Sequence, residues 1–290
     1  MQVLIGIADH GSFTAAAQAL GMSMPAVVRA LAALEANLGV RLFNRTTRRV
    51  ALTDEGRRYL EHSRRILQQV ADARASLGAE ASEPQGTLCI TAPVLFGQMY
   101  VAPAVTRFAR RYPKVRVDVQ LLDRISNLVE EGFDAAVRIG ELADSTLVAQ
   151  RVGSFRRLVV ASPAYLRRAG VPRHPRDLLK GNCLRFSGTT PPWWVFHQGS
   201  KRITVPVEGN LTFNHVVPVV EACAAGLGFG MLFSYQAAAY LASGGLKAVL
   251  EDFEPAPRPL SLVYPSAQLL PSRTRVLLEW MRHELVSALQ

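Results

Sequence analysis

Cysteine is scarce in this chain. Its 290 residues hold three, Cys89, Cys183 and Cys223, and none stands in CxxC or Cys/His spacing. That argues against a zinc site and fits a reducing compartment. Cys89 and Cys223 lie in apolar runs, which predicts inert core thiols rather than redox sensors. Enzyme signatures are missing as well: the sequence has no HExxH, no GxSxG and no GxxxxGK[ST]. Gly226-Leu227-Gly228-Phe229-Gly230 lacks the spacing and the following helix of a dinucleotide fingerprint. His10, His62, His174, His197, His215 and His283 are scattered, so a histidine triad or metal site would have to be assembled entirely by the fold. The reading is of a chain that is not an enzyme and uses no metal and no cofactor. Long apolar runs are absent too. Val216 to Leu232 is interrupted by Glu, Gly and Pro before it reaches bilayer length, and no basic segment at the start leads into an apolar stretch. A cytoplasmic protein with no membrane partner is expected. Acid is in deficit: 33 Lys and Arg face 23 Asp and Glu, a formal net charge of +10 that favours an acidic partner. Residues 1–85 hold ten arginines against eight acids, so most of the excess lies further on and net charge alone does not locate a site.

What is present is concentrated near the start. Ser12 caps a predicted helix from Phe13 to Leu20 whose alanines at 15, 16 and 17 permit close approach by a second helix. Gly21 breaks it. Ser23 is a second cap, Pro25 sits in the first turn, and Val27, Leu31, Leu34 and Leu38 repeat at helical spacing until Gly39. Burying that stripe turns Pro25, Arg29 and Ala32 outward, with Met24 and Val28 on the flank. Val40 to Phe43 and Arg48 to Leu52 then read as strands joined through Asn44, Arg45, Thr46 and Thr47, a hairpin wing. Arg41, Arg45, Arg48 and Arg49 arrive with no acid among them, and closely spaced guanidiniums beside such a helix supply a phosphate grip. The predicted contacts to double-stranded DNA are Ser23, Met24, Pro25, Val28, Arg29, Arg45, Thr46, Arg48 and Arg49, on a helix–turn–helix spanning about Phe13 to Ala32. Taken alone, the same pattern also fits two packed helices beside a solvated arginine run.

From Asp54 to about Gly78 the chain reads as one helix capped by Thr53. Tyr59, Ser63, Ile66, Val70, Ala73 and Leu77 recur at alternating steps of four and three, a coiled-coil seam. Packing on its own domain is the plain alternative, but a DNA-binding head makes pairing of two copies through Tyr59, Ile66, Val70 and Leu77 the preferred reading. The predicted divisions are residues 1–53 for an all-α winged head, 54–78 for the linker helix, 79–86 for a hinge and 87–290 for an effector-binding domain.

That last part alternates strand and helix: strands at Thr87–Thr91, Val115–Leu121 and Asp134–Ile139, with helices at Gln98–Tyr112 and Ile125–Glu131. A second set has strands at Arg157–Ala161, Cys183–Phe186 and Phe229–Leu232, and helices at Pro163–Ala169, Pro175–Leu179 and Val216–Ala225. A strand at Leu260–Tyr264 and a helix at Ser272–Leu289 close the chain. The pattern predicts an α/β domain with largely parallel sheet, in two subdomains around a cleft as in periplasmic solute-binding proteins. Subdomain I is placed at about 87–160 and 266–290, and subdomain II at about 161–265. Small molecules bind beyond the carboxyl ends of such strands. The candidate effector contacts are therefore Pro93, Val94, Leu95 and Phe96, then Asp123 and Arg124, then Phe186 and Ser187, with Asn214 capping the helix after Phe213. Val94, Leu95 and Phe96 fit a core role equally well. Arg124 or Arg185 suits an anionic ligand or an ordinary surface ion pair. Trp193 and Trp194 suit either the cleft mouth or a packed surface loop.

The run from Ser12 to Gly56 resembles the N-terminal domain of LysR-type transcriptional regulators. The resemblance is carried by Ser12-Phe13, Ala16-Ala17, Ser23-Met24-Pro25-Ala26, Leu34-Glu35, Leu38-Gly39-Val40-Arg41-Leu42-Phe43-Asn44-Arg45 and Leu52-Thr53-Asp54-Glu55-Gly56. TLCITAPVLFG, RYPKVRVDVQL, NLVEEGFDAAVRIGEL and EACAAGLGFGML are similar, more weakly, to the effector domain of the same family. The resemblance implies a recognition helix at 23–38, a winged hairpin, a dimerising linker helix and a ligand cleft. It implies a ligand-responsive regulator that binds an operator as a homodimer or homotetramer, with RNA polymerase as a further partner. Three departures stand out. Met24 and Val28 replace the polar residues common at those positions, which shifts base reading toward thymine methyls and DNA shape. Pro93-Val94-Leu95-Phe96 replaces a Ser/Thr-bearing loop, so a ligand carboxylate would meet backbone amides and the effector is expected to be anionic or partly apolar. Family members also carry several residues before the position of Met1, so either the first helix is clipped or the head tolerates a short one. The rival reading is a small-molecule binding protein whose head has lost specific DNA recognition.

Overall fold

A computed structural model shows two separate units, residues 1–82 and 83–290. It describes residues 1–46, 49–76, 83–141, 147–187, 192–265 and 270–289. Among these no single helix is long and apolar enough to cross a membrane.

The first unit holds α1 (Gln2–His10), α2 (Phe13–Leu20), α3 (Met24–Leu38), a hairpin of β1 (Phe43–Thr46) and β2 (Arg49–Leu52), and α4 (Asp54–Ser76). The caps fall where the sequence puts them: Ser12 Oγ accepts from Ala15 N at 3.0 Å and Ser23 Oγ from Ala26 N at 3.4 Å. Gly21 and Gly39 end α2 and α3 at φ 63° and 68°, a left-handed conformation that costs glycine nothing. Leu4, Ile7, Ala16, Ala17, Val27, Leu31, Leu42, Phe43 and Leu60 form the core. Two expectations change. Leu38, placed in the buried stripe, is 37% exposed. The first wing strand begins at Phe43 rather than Val40, and the Glu35 carboxylate accepts from the amides of Leu42 (2.8 Å) and Phe43 (3.3 Å) at its entry.

The second unit has two lobes. Sheet one runs β4 (Val115–Leu121), β3 (Gly86–Ala92), β5 (Ala135–Ile139), β14 (Arg258–Tyr264), β6 (Val148–Phe155). After β3 comes α5 (Val94–Phe96), which passes through a π-helical turn at Gly97–Val101 into α6 (Ala102–Arg111); α7 (Leu128–Glu131) precedes β5, and α11 (Ser272–Ala288) closes the lobe. Sheet two runs β11 (Thr212–Phe213), β8 (Cys183–Phe186), β12 (Phe229–Phe233), β7 (Arg157–Ala161), β13 (Lys247–Val249). It is flanked by α8 (Pro163–Ala169), a 3-10 turn at Pro175–Lys180, the hairpin β9 (Trp193–Gln198) and β10 (Lys201–Pro206), α9 (Val216–Ala224) and α10 (Ser234–Ala242).

The sheets are mixed, not largely parallel. β3 pairs in parallel with β4 and β5, but β14 runs antiparallel to both β5 and β6. In the second sheet β7 is antiparallel to β12 and β13. The lobe boundaries therefore move: Leu260–Tyr264, expected in subdomain II, belongs to the first sheet, and residues 157–160 belong to the second. The chain crosses between lobes at Arg156 and at residues 254–257. Arg156 ties the two crossings, Nε donating to Glu254 at 2.9 Å and a terminal nitrogen to Glu251 at 2.9 Å. The helix expected at Ile125–Glu131 is shorter. Asn127 Oδ1 accepts from Val129 and Glu130 amides and starts it at Leu128.

Candidate functional site

Two surfaces carry the chemistry, one on each unit. On the head, α3 presents Ser23, Met24, Pro25, Arg29 and Ala32 to solvent, while Val27 and Leu31 are buried and Val28 is half-buried. Met24 is 50% exposed, an apolar side chain at the start of the presented face. Arg45, Thr46 and Arg49 lie in the strands of the wing with register Arg45↔Val50 and Thr46↔Arg49. Thr47 and Arg48 lie outside the described residues.

The wing is fixed to α3 and α4 by three groups the sequence motif already contains. Glu35 reaches from α3 to the amides of Leu42 and Phe43. Thr53 Oγ1 donates to the Arg41 carbonyl at 2.7 Å and accepts from Gly56 N at 2.9 Å, capping α4 and tying it to the strand entry. Gly56 is buried so tightly that a Cβ there would stand 2.0 Å from the Leu42 carbonyl oxygen. Contacts of this kind hold a hairpin at a set angle to a recognition helix, which a shared grip on groove and phosphates requires. Along α4 the seam divides. Tyr59 is half-buried against the head core and Ser63 fully buried, whereas Ile66 and Val70 stand 42% and 45% exposed. Leu77 lies outside the described residues.

The second site is a cleft between the lobes with a volume of about 120 Å³, where one water needs roughly 10–15 Å³. Pro93, Leu95, Asp123, Arg124 and Phe186 line it as the sequence suggests. Val94 is not among the lining residues; its N–H donates to Asp123 Oδ1 at 3.0 Å and fixes that carboxylate. Three more of the suggested residues are placed elsewhere. Phe96 is fully buried in an aromatic cluster with Tyr100, Phe155 and Tyr235, because the chain turns helical directly after Pro93 and swings that ring into the lobe core. Ser187 is exposed and bonded back to the Phe213 carbonyl. Asn214 does not cap α9: the helix starts one residue later than that assignment needs, with His215 at the cap position. Arg185, on β8, is not among the lining residues, and Trp193 is exposed on the hairpin while Trp194 is buried.

The structure adds residues that sequence reasoning passed over. Arg138 on β5 reaches the cleft floor and donates to the Ser126 carbonyl and to Ser126 Oγ at 3.3 Å. Burial lowers its pKa from the ordinary arginine value, partly opposed by Glu131. No carboxylate among the described residues forms an ion pair with it. Arg124 differs: it grips Glu131 with both terminal nitrogens, which holds that carboxyl below the usual range. On the far wall Tyr235 is pushed up by burial and stays protonated, with its oxygen accepting from Gln236 Nε2 at 3.2 Å. Gln236 Oε1 in turn accepts from Phe233 N at 2.8 Å. Asp123 spans the mouth, its second oxygen 3.3 Å from His215 Nδ1 of the other lobe. The only signals for Arg138 and Gln236 in the sequence were a charge inside an apolar strand and an amide three residues past one.

The cleft thus offers one cation without an ion-pair partner among the described residues, a neutral hydroxyl and apolar walls from Leu95, Phe186, Val216 and Phe233. With a winged helix–turn–helix on the other unit, the architecture defines a ligand-responsive DNA-binding regulator. Comparison with known proteins bears this out. Residues 1–57 match the family described as bacterial regulatory helix-turn-helix protein, lysR family, and residues 81–286 match the LysR substrate binding domain. The regulator PtxR of Pseudomonas aeruginosa is 35% identical over 288 residues, covering 98% of this chain and 92% of its own. The structure of CrgA, a LysR-type transcriptional regulator from Neisseria meningitidis, is similar with TM-score 0.62 and 32% identity, covering 98% of this chain and 97% of that one. The full-length virulence activator AphB of Vibrio cholerae shares the fold, with TM-score 0.64 at 24% identity over 96% of each chain. The chain belongs to the LysR family of transcriptional regulators, a family of DNA-binding regulators and not of enzymes.

Proposed function

We propose that this chain is a cytoplasmic LysR-type regulator whose effector is a small organic acid, its carboxylate held by Arg138 and its carbon skeleton by the apolar cleft walls. The observation that carries this is the half-buried Arg138 guanidinium, which faces the cleft without an ion-pair partner among the described residues. A desolvated cation in a closed site selects an anion. Tyr235 donates a hydrogen bond to the acid, and closure draws Asp123 and His215 together across the mouth. On the head, Ser23, Met24, Pro25, Val28 and Arg29 meet base edges, while Arg45, Thr46, Arg48 and Arg49 meet phosphates. Ile66 and Val70, bare in a single copy, pair in a dimer, and two dimers joining would give a tetramer. Effector binding changes the spacing of heads and, through it, access of RNA polymerase. The test is a thermal-shift screen of small carboxylic acids against their neutral amides. Acids that stabilise the protein while the amides do not support the reading; equal shifts would withdraw it.

The wing carries its own expectation. Arg45→Ala weakens binding to all DNA sequences and flattens the dependence of log K on log salt by about 0.9 per protomer, the slope of one phosphate contact. Fluorescence anisotropy over a salt series reads it, and an unchanged slope removes Arg45 from the grip.

A further inference from the structure

The second lobe is charged on one side only. Its sheet is covered on one face by α9 and α10, which pack through Val219, Val220, Cys223 and Ala237 and carry a single charged residue, Glu221. The other face is covered by α8, the 175–180 turn and the β9–β10 hairpin, which pack through Tyr165, Leu166, Leu178, Phe196, Ile203 and Val205. Residues 163–206, which contain this second layer, hold eight Lys and Arg against one acid, a surplus of seven in a chain whose net charge is +10. Arg167, Arg168, Arg173, Arg176, Lys180, Lys201 and Arg202 are all exposed. The one acid, Asp177, accepts from the backbone amides of Arg173 and His174, both at 2.9 Å, which folds the turn, and it offsets one charge of the eight, acting on Lys180. Among the described residues no carboxylate forms an ion pair with any of the seven. Arg107, Arg124 and Arg156, exposed elsewhere on the same unit, each have one. The turn packs on β10, so Arg176 and Lys180 share a surface with Lys201 and Arg202, which follow the Gly199–Ser200 hairpin tip.

We propose that this outer face of the second lobe is a second, sequence-independent DNA contact, taking the phosphates of duplex DNA. The head, with ten arginines facing eight acids in residues 1–85, holds little of the chain's surplus positive charge, whereas this layer holds seven of the ten. Five of the seven cations are arginine, whose planar fork matches phosphate oxygens. Val171, Leu179 and Trp193 stand exposed in the same layer and are what an acidic protein would use instead, but cations outnumber them.

The test uses the full chain and a fluorescein-labelled mixed-sequence duplex of about 60 base pairs, titrated between about 50 and 200 mM salt. The variant Arg176→Gln/Lys180→Gln/Lys201→Gln/Arg202→Gln is expected to lower the salt slope by about 2–4 per protomer, at about 0.9 for each phosphate no longer neutralised. The thermal midpoint should hold, since all four side chains are exposed. The charge-keeping variant Arg176→Lys/Arg202→Lys should retain most of the slope, which separates a weakened phosphate grip from misfolding. Neutralising Arg110, Arg111, Arg116 and Arg151 on the first lobe, also exposed, should leave it nearly unchanged. An unchanged slope in the fourfold variant overturns the proposal, and so does an equal fall in the first-lobe control, which would mean diffuse charge. Loss of binding to poly-glutamate with DNA binding intact overturns it in favour of an acidic protein partner.

Discussion

Gly56→Ala is expected to abolish DNA binding by a protein whose effector domain still folds. The added methyl would stand 2.0 Å from the Leu42 carbonyl oxygen and 2.9 Å from its carbon, both backbone atoms that no rotamer change can move. Either α4 slides away from the wing or the strand entry shifts. Each route breaks the Thr53 bridge between Arg41 and Gly56 and disturbs the amides that Glu35 holds. Overpacking of this kind costs about 3 kcal/mol, a large share of the stability of a head this small. Calorimetry should show the transition of residues 1–82 moving down while that of residues 83–290 stays. Anisotropy should show loss of DNA binding at every salt concentration. A variant that binds DNA normally would mean that the glycine is dispensable and the packing there soft.

Arg138→Gln should leave the protein folded and weaken its binding of the proposed acid effector about thirtyfold. The guanidinium has no ion-pair partner among the described residues, and losing one member of a desolvated ion pair costs about 2–5 kcal/mol. Arg138 is only half-buried, so the low end applies, about 2 kcal/mol or roughly thirtyfold in affinity. Arg138→Lys keeps the charge and loses the fork, so it should fall between the two. The control is the midpoint without ligand, because Arg138 also holds the Ser126 carbonyl. Isothermal titration with any acid that stabilises the wild type reads the outcome; undiminished affinity would move the anion site elsewhere.

The head was legible because its signals are local. Ser12, Ser23, Gly21 and Gly39 each act within a turn of where they stand, and all four mark helix ends as read. The wing strands slipped by up to three residues, and Glu35, which accepts from the amide of Leu42 at their entry, stands seven positions away. In the second unit, Val115–Leu121, Arg157–Ala161, Pro163–Ala169 and Cys183–Phe186 coincide with their predicted spans, although only the first alternates along its length. Pairing partners were out of reach: β14 joins β5 and β6 across more than a hundred residues, and no periodicity reports such a return. Helix α1, strand β6, the β9–β10 hairpin, α10 and β13 went unread. In the cleft, the loops at strand ends and Phe186 at the last position of β8 were found, and Arg138 inside β5 was not. Phe96 and Arg138 show why: an aromatic in a turn looks available and a charge in a strand looks like surface, until the backbone path decides which way each points.

The two crossings between lobes run side by side, and Arg156 fastens one to the other. A pair of chains bridged in this way behaves as a door hinge and not as a ball joint. Twisting one lobe against the other would pull the two connections in opposite senses against the Arg156 bridge to Glu251 and Glu254, whereas opening only bends both connections together. The lobes are left with one soft coordinate. A ligand's girth is thereby transcribed into an angle, and two acids of equal charge but unequal bulk would leave the same protein in two different postures.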